Sequence, residues 1–158
     1  MTGQLDPRSG WSADGCSIGR ALEVVSTRSA LLILREAFYG TTRFEDFAKR
    51  VGISQPVAAA RLRELLDAEL LQREPYKEDG QRTRQHYRLT EKGADLFPVL
   101  VGLMQWGDRW LAPSGGPVDL QHRICGSTVT LELSCAEGHH PAIDELDLVS
   151  NKLIKSNE

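Results

Sequence analysis

The sequence has 158 residues, enough for one main domain and a small appendage, and its 41% apolar and 26% charged residues are typical of a globular protein. No apolar run approaches the roughly 20 residues that a membrane span requires, so we expect a cytoplasmic protein without a membrane partner. The net charge of -3 excludes a uniformly basic nucleic-acid-binding chain, but residues 43–93 hold 11 Lys and Arg against 9 Asp and Glu, whereas residues 119–158 hold 3 against 7.

The first part of the chain predicts a leader and two helices. Residues 1–15 are polar and rich in Gly and Ser, and we expect a flexible leader there. Over residues 18–38 apolar side chains recur at helical spacing, with a break at Ser26 and Thr27, which are weak helix formers. Gly40 is typical of the residue that follows a helix C-terminus.

Two further helices joined by a tight turn are predicted next. Thr42 is a suitable N-cap for a short helix over residues 43–50, because its hydroxyl can accept a hydrogen bond from the first turn. Gly52 indicates the tight turn, and Ser54 is a suitable N-cap for a helix that runs to about Leu70. The apolar side chains of this helix that are expected to face the core are Val57, Leu62, Leu65 and Leu66.

A β-hairpin is predicted after these helices. Residues 70–76 and 83–89 have strand-like composition, and the Asp79-Gly80 pair between them is a strong turn signal. A helix, a tight turn, a second helix and a basic hairpin follow one another in a winged helix-turn-helix. We therefore expect a mainly α fold with a small β wing, which is an α+β architecture.

A long helix, a linker and an appendage follow the hairpin. Thr90 is the expected N-cap of a helix over residues 91–111, which Pro98 is expected to bend or split. Residues 113–118 are rich in Pro and Gly and predict a linker. We therefore expect a winged-helix domain at residues 16–112. A small, β-containing C-terminal appendage is expected after the linker.

The dimensions of this fold predict which side chains contact DNA. One helix fits the major groove while the hairpin reaches the neighbouring backbone, so the second helix of the pair is expected to contact bases. Base contacts are expected from Gln55, Ala59 and Arg63. The other expected contacts on the helix pair are Thr42, Arg43, Ser54, Pro56 and Arg61. The expected contacts on the wing are Lys77, Gln81, Arg82, Thr83 and Arg84. The alternative is that the hairpin arginines only keep an edge strand soluble.

Short motifs spread over this domain resemble those of a known family. They are Cys16-Ser-Ile-Gly-Arg-Ala-Leu, Leu31-Leu-Ile-Leu-Arg-Glu, Arg43-Phe44, Arg61-Leu-Arg-Glu-Leu, Tyr87-Arg-Leu-Thr-Glu-Lys-Gly93 and Trp106-Gly-Asp-Arg-Trp110. With these motifs at their observed spacings, the domain resembles HxlR-type bacterial regulators, which are related in fold to MarR-type proteins. The resemblance implies a homodimer that binds a palindromic operator in double-stranded DNA, with an interface built from the first and last helices.

The apolar pattern of the last helix also favours a dimer. This helix has more apolar side chains than one face buried in its own chain can hold, so some are expected to face a partner. The alternative is an ordinary core helix. The expected interface consists of Ile18, Leu22, Leu96, Val99, Leu100, Leu103, Trp106 and Trp110.

The predicted function is a dimeric, sequence-specific DNA-binding transcriptional regulator that acts as a repressor. The alternative is a ligand-sensing or protein-interaction module on a winged-helix scaffold without specific DNA binding. We do not expect an enzyme, because the sequence offers no convincing nucleophile with a base and no paired carboxylates.

Two features suggest an oxidant or small-molecule effector. Cys16 lies at the start of the first helix, where the helix dipole favours thiolate, and it is the redox candidate; the alternative is an inert thiol. An effector pocket is suggested by Phe38, Phe97, Trp106 and Trp110, although aromatic residues at helical spacing more often belong to a core.

The appendage at residues 119–158 contains side chains that bind zinc in other proteins. Residues 122–133 alternate between apolar and polar, which suggests one or two strands, whereas residues 143–154 suit a strand or a frayed helix. The metal-type side chains are His122, Cys125, Cys135, His139 and His140. The candidate zinc ligands are Cys125, Cys135 and His139, in a zinc-ribbon-like element that is degenerate because Gly138 replaces a second cysteine. Because that ligand is missing, we expect a metal-free β appendage and a protein without a cofactor, and a zinc site is the alternative.

Overall fold

The computed structural model describes residues 15–77 and 83–148, so the predicted leader up to residue 14 and the predicted Asp79-Gly80 turn lie outside the described residues. Residues 21–117 form one unit, and residues 15–20 with 118–148 form the described part of a second unit. Within the described ranges no helix combines the length and the apolar character needed to cross a membrane.

Two helices begin the described chain, as the sequence predicts. α1 spans Ser17–Val25 and α2 spans Arg28–Phe38. Thr27 lies at the N-cap of α2, where its hydroxyl accepts a hydrogen bond from the amide of Ala30 at 3.1 Å. The predicted break at Ser26 and Thr27 is confirmed, because this capping bond starts a new helix.

The helix-turn-helix is confirmed, with one capping residue corrected. α3 spans Phe44–Val51 and α4 spans Gln55–Asp67. Gly52 has a φ of 70°, which turns the chain between the two helices. The predicted N-cap role of Thr42 is wrong, since Arg43 occupies that position and the Thr42 carbonyl is hydrogen-bonded to the wing instead.

The second helix of the pair ends earlier than predicted. α4 stops at Asp67, because Glu69 adopts a left-handed φ of 59° and the amide of Leu70 donates to the carbonyl of Leu65 at 2.9 Å. This arrangement closes the helix and redirects the chain into the hairpin.

The predicted hairpin is confirmed. β1 spans Leu71–Tyr76 and β2 spans Arg84–Leu89, and the two strands pair antiparallel. The register runs from Leu71 opposite Leu89 to Tyr76 opposite Arg84. This fixed register decides which side chains of the wing share a face.

The predicted long helix is split in two. α5 spans Glu91–Ala94 and α6 spans Phe97–Leu111. Thr90 caps α5, since its hydroxyl accepts a hydrogen bond from the amide of Gly93 at 3.0 Å. Pro98 lies in the first turn of α6, where its lack of an N–H and the bulk of its ring prevent α5 from continuing through it.

The core of the winged-helix unit lies between α2, α3, α4 and the wing. Its largest fully buried side chains are Ile33, Leu34, Phe47, Leu62 and Leu65. Glu36 is also buried, and its carboxylate accepts hydrogen bonds from Arg35 at 2.7 Å and from Thr41 at 3.3 Å. Val57 was expected in this core but is 42% exposed, because Ala58 occupies the inward position of α4.

Residues 118–148 contain little regular structure. In this described segment the strands predicted over 122–133 reduce to one β-bridge between Gln121 and Thr128, and Ile143–Glu145 form a 3-10 turn. No side chain of the segment is buried, so the apolar half of the alternating pattern has no core to cover and does not build a sheet.

Candidate nucleic-acid interface

α4 has an exposed face formed by residues one helical turn apart. Gln55, Ala59 and Arg63 follow one another along the same side of the helix, and all three are exposed. Ala58 and Leu62 are buried on the opposite side and hold the helix against the core. The three residues predicted to contact bases therefore share one solvent-facing surface.

The residues at the start of α4 and along it that were predicted to contact DNA differ in the contacts that they make within this chain. Ser54 lies at the N-cap without a side-chain capping bond, so its exposed hydroxyl is not used to start the helix. Pro56 occupies the first turn, as predicted. Arg61 forms an ion pair with Glu64 at 2.5 Å, so a phosphate contact by Arg61 requires that ion pair to open.

The start of α3 is tied to the wing. The amide of Tyr87 on β2 donates a hydrogen bond to the carbonyl of Thr42 at 2.8 Å. A cleft at this junction is lined by Arg43, Phe44, Glu45, Tyr76, Arg84, Gln85 and Tyr87. Two of the predicted DNA-contacting cations, Arg43 and Arg84, thus line the same cleft although they belong to different elements.

Two residues of the cleft, Arg43 and Tyr76, belong to a group of stacked side chains that the sequence did not predict. The guanidinium carbon of Arg43 lies 5.4 Å from the ring centroid of Tyr76, and that ring centroid lies 3.8 Å from the ring centroid of His86. Because Tyr76 pairs with Arg84, His86 is its diagonal neighbour on the same face. The hairpin register could have predicted that the rings of Tyr76 and His86 are neighbours. The position of Arg43 beside them could not be predicted, because it depends on tertiary packing.

The wing presents fewer unpaired cations than its composition suggests. Lys77, Thr83 and Arg84 are exposed, and the predicted contacts Gln81 and Arg82 lie outside the described residues. The remaining cations of the strands are engaged within the hairpin: Arg88 forms an ion pair with Glu74 at 2.5 Å, and the guanidinium of Arg73 lies 5.8 Å from the ring centroid of Tyr87.

α6 presents an apolar stripe to solvent. Val99 and Leu103 are each 51% exposed, Trp106 is 57% exposed and Trp110 is 62% exposed. Their spacing places them along one side of the helix. A stripe of this size on a single chain is typical of a surface that another protein covers.

The other residues of the predicted dimer interface divide into two groups. Leu96 and Leu100 are half-buried against the core of their own chain, so they offer a partner less apolar surface than the exposed stripe does. That side of α6 faces inward because the helix packs on α2. Ile18 and Leu22 are exposed on α1, one turn apart.

The residues suggested for an oxidant or small-molecule effector lie in different local settings. Cys16 is a half-buried free thiol immediately before α1. The rings of Phe38 and Phe97 contact each other, with their centroids 4.9 Å apart. Trp106 and Trp110, in contrast, lie on the exposed stripe of α6.

The candidate zinc ligands of the appendage lie in two separate pairs. His122 Nδ1 lies 3.1 Å from Cys125 Sγ, and Cys135 Sγ lies 3.5 Å from His139 Nδ1. The pKa of the exposed Cys125 thiol is lowered to about 7. The largest cause is a hydrogen bond with the side chain of Ser127, and smaller contributions come from the backbone of Ser127 and from the side chain of His122. In the part of the chain that the structure describes, no three His, Cys, Asp or Glu side chains meet in one potential metal site.

Comparisons with known proteins agree with this architecture. Residues 24–115 match the family described as HxlR-like helix-turn-helix. Rv3095 of Mycobacterium tuberculosis, named an HTH-type transcriptional regulator, is 49% identical over 123 residues, which are 77% of each chain. Among solved structures, PA1607, assigned as a transcription factor, has a TM-score of 0.77 and 34% identity, and the match covers 87% of this chain and 96% of PA1607. The redox regulator HypR in its reduced form has a TM-score of 0.54 and 25% identity, and the match covers 63% of this chain and 99% of HypR.

These matches confirm the winged-helix fold and the family resemblance. The match to PA1607 covers more of the chain than the family region does, so it includes part of the appendage. The relatives carry the names of transcriptional regulators and not of enzymes. The chain therefore belongs to the HxlR-like helix-turn-helix family and is a transcriptional regulator of the helix-turn-helix type.

Proposed function

We propose that this regulator is a cytoplasmic homodimer that binds a palindromic operator in double-stranded DNA and acts as a repressor. The observation that carries the proposal is the exposed face of α4, on which Gln55, Ala59 and Arg63 lie side by side. A helix with small and hydrogen-bonding side chains on its outer face can enter the major groove and approach base edges. The cleft that contains Arg43 and Arg84 supplies cations for the flanking phosphates.

The apolar stripe of α6 supports the dimer. Two chains that cover this stripe, together with Ile18 and Leu22 of α1, remove large apolar side chains from water. A twofold dimer presents two copies of α4, which a palindromic operator matches when its half-sites are about one DNA turn apart. An operator of this kind that overlaps a promoter excludes the polymerase, which is the basis for proposing repression.

A redox response through Cys16 is part of the proposal. The thiol is free and lies at the N-terminus of α1, and the structural neighbour HypR is described as a redox regulator. Hydrogen peroxide would oxidise the Cys16 thiol to a sulfenic acid and would itself be reduced to water. Peroxide should then release operator DNA from the wild type and not from Cys16→Ser, and equal release from both proteins would contradict this role.

The DNA-binding proposal is tested by selecting sequences from a random duplex pool with the purified full-length protein. We expect a palindromic consensus. In mobility-shift titrations with excess nonspecific DNA, Arg63→Ala should lose about 1–3 kcal/mol, roughly 5- to 150-fold in affinity, if Arg63 makes a bidentate base contact.

Arg63→Lys is the matched control for charge. It keeps the cation but loses the planar fork of donors, so nonspecific affinity should persist while discrimination between operators falls. Selection that enriches no sequence would overturn the proposal and would favour a ligand-sensing or protein-interaction module on the same scaffold.

A further inference from the structure

The described part of the appendage, residues 118–148, lacks the core that normally holds a segment of its size together. No side chain of residues 118–148 is buried, and apolar residues such as Leu131 and Leu133 are exposed. Segments this short usually need a metal ion, a disulfide or a partner to keep a fixed structure. Cys125 and Cys135 are free thiols, so the structure contains no disulfide that serves this purpose.

Two thiol–imidazole pairs are nevertheless presented from ordered turns. Cys125 and His122 are followed by Gly126, whose amide donates to the carbonyl of His122 at 2.8 Å. In the second pair, Cys135 and His139 enclose a turn in which the amide of Gly138 donates to the carbonyl of Cys135 at 2.9 Å. Both glycines have a positive φ, of 72° and 79°, so each turn relies on a conformation that other residues rarely adopt.

We propose that the two pairs bind one zinc ion, with His122, Cys125, Cys135 and His139 as its four ligands. In a tetrahedral site with Zn–S of about 2.3 Å and Zn–N of about 2.0 Å, neighbouring sulfur and nitrogen ligands are about 3.5 Å apart. The observed Sγ–Nδ1 distances of 3.1 and 3.5 Å are close to this separation, so each pair has the dimensions of one edge of the tetrahedron.

Each pair supplies half of the proposed site. Among the described residues no three such side chains meet, so zinc binding must bring the two turns together. The two thiols release their protons to solvent as they bind, and two thiolates with two neutral imidazoles balance the charge of the ion. The cross-link replaces the missing core of the segment. His140 is left out of the ligand set because four ligands complete a tetrahedral site, and its Nδ1 lies beside the Glu132 carboxylate at 3.3 Å, whereas His122 and His139 each lie beside a thiol.

The test measures zinc in the purified full-length protein and follows Co²⁺ titration of the chelator-treated protein by the visible spectrum of thiolate-bound cobalt. We expect one zinc ion per chain in the wild type and in the matched control His140→Ala. Cys125→Ser and His139→Ala should weaken binding by more than the roughly 10- to 100-fold that loss of an outer-shell partner causes.

Amide hydrogen exchange of the wild-type protein provides a second measurement, which does not depend on whether a variant keeps its structure. Chelation of the wild type should raise exchange in residues 118–148 and leave residues 21–117 unchanged. Three results would overturn the proposal: substoichiometric zinc in the wild type, equal zinc in Cys125→Ser, or a Cys125–Cys135 disulfide that protects the metal-free segment. A substoichiometric value of half a zinc ion per chain would mean an ion shared between two chains, which contradicts four ligands from one chain.

Discussion

Gly93 occupies a position at which sterics leave room for no other residue. It is buried in α5, and a Cβ placed on it would lie 2.0 Å from the carbonyl oxygen of Leu70. That oxygen cannot easily retreat, because the amide of Thr90 donates to it at 3.1 Å and the ammonium of Lys92 bonds the nearby carbonyl of Ala68 at 2.8 Å. The requirement for glycine comes from a contact between distant parts of the chain.

Gly93→Ala should lower the free energy of unfolding by about 1–3 kcal/mol, the usual effect of an overpacked site, although alanine is the better helix former. Urea denaturation of the full-length protein measures the change. The control is Ala94→Gly, which removes an exposed methyl group from the same helix and should cost at most about 1 kcal/mol. A Gly93→Ala protein as stable as the wild type would contradict the steric argument.

Glu69 offers the opposite case, since glycine suits its backbone better than the residue present. Its φ of 59° ends α4, and side chains with a Cβ are disfavoured in this conformation. Glu69→Gly should therefore raise the free energy of unfolding by up to about 1 kcal/mol. Ala60→Gly, in the exposed middle of α4, should lower it by about the same amount, and an equal loss in both variants would contradict this assignment.

At the scale of elements, the helix-turn-helix could be predicted because its signals are local. Gly52, Ser54 and Pro56 fix the turn and the start of α4 through their own backbone preferences. The end of α4 could not be predicted, because Glu69 adopts a conformation that sequence patterns associate with glycine or asparagine. The strands expected over residues 122–133 did not form, since alternation specifies a strand only where one face is covered.

In the candidate site, too, features set by local sequence could be predicted, whereas features set by contacts between distant elements could not. The outward face of α4 follows from helical periodicity, so Gln55, Ala59 and Arg63 could be placed together. The stacking of Arg43 with Tyr76 joins α3 to the wing, and the inward orientation of Leu100 depends on how α6 packs. Neither contact is encoded by spacing within one element.

The wing is tested through the salt dependence of operator binding. If the wing contacts DNA as proposed, Arg84→Ala and Arg82→Ala should each reduce the slope of log affinity against log salt by about 0.9, because each substitution removes one proposed phosphate contact. Arg88→Ala is the control, since Arg88 is bound to Glu74 within the hairpin and should leave the slope unchanged. An unaltered slope in both Arg82→Ala and Arg84→Ala would refute the assignment of the wing.

At the scale of the whole molecule, the proposed dimer depends on the stripe on α6. Trp106→Glu should convert the dimer to a monomer, because loss of a central aromatic residue commonly costs 2 kcal/mol or more and the new carboxylate would be buried. Sedimentation at micromolar concentration measures the change. Operator affinity should fall with it, since each monomer reaches one half-site.

Leu133→Glu is the matched control for this experiment. It makes a similar apolar-to-acidic change at an exposed position of the appendage and should leave the dimer intact. A Trp106→Glu protein that stays dimeric, or a monomer that still binds the operator as tightly as the wild type, would contradict the proposed interface.

The small side chain of Ala59 has a consequence for how the operator is read. It can neither donate nor accept a hydrogen bond, so on the proposed interface it distinguishes bases only by touching the C5-methyl group of thymine. Replacing that thymine by uracil deletes the methyl group and preserves every hydrogen-bonding group of the base pair. The position opposite Ala59 should thus be the one at which uracil weakens binding, whereas uracil elsewhere in the half-site is tolerated.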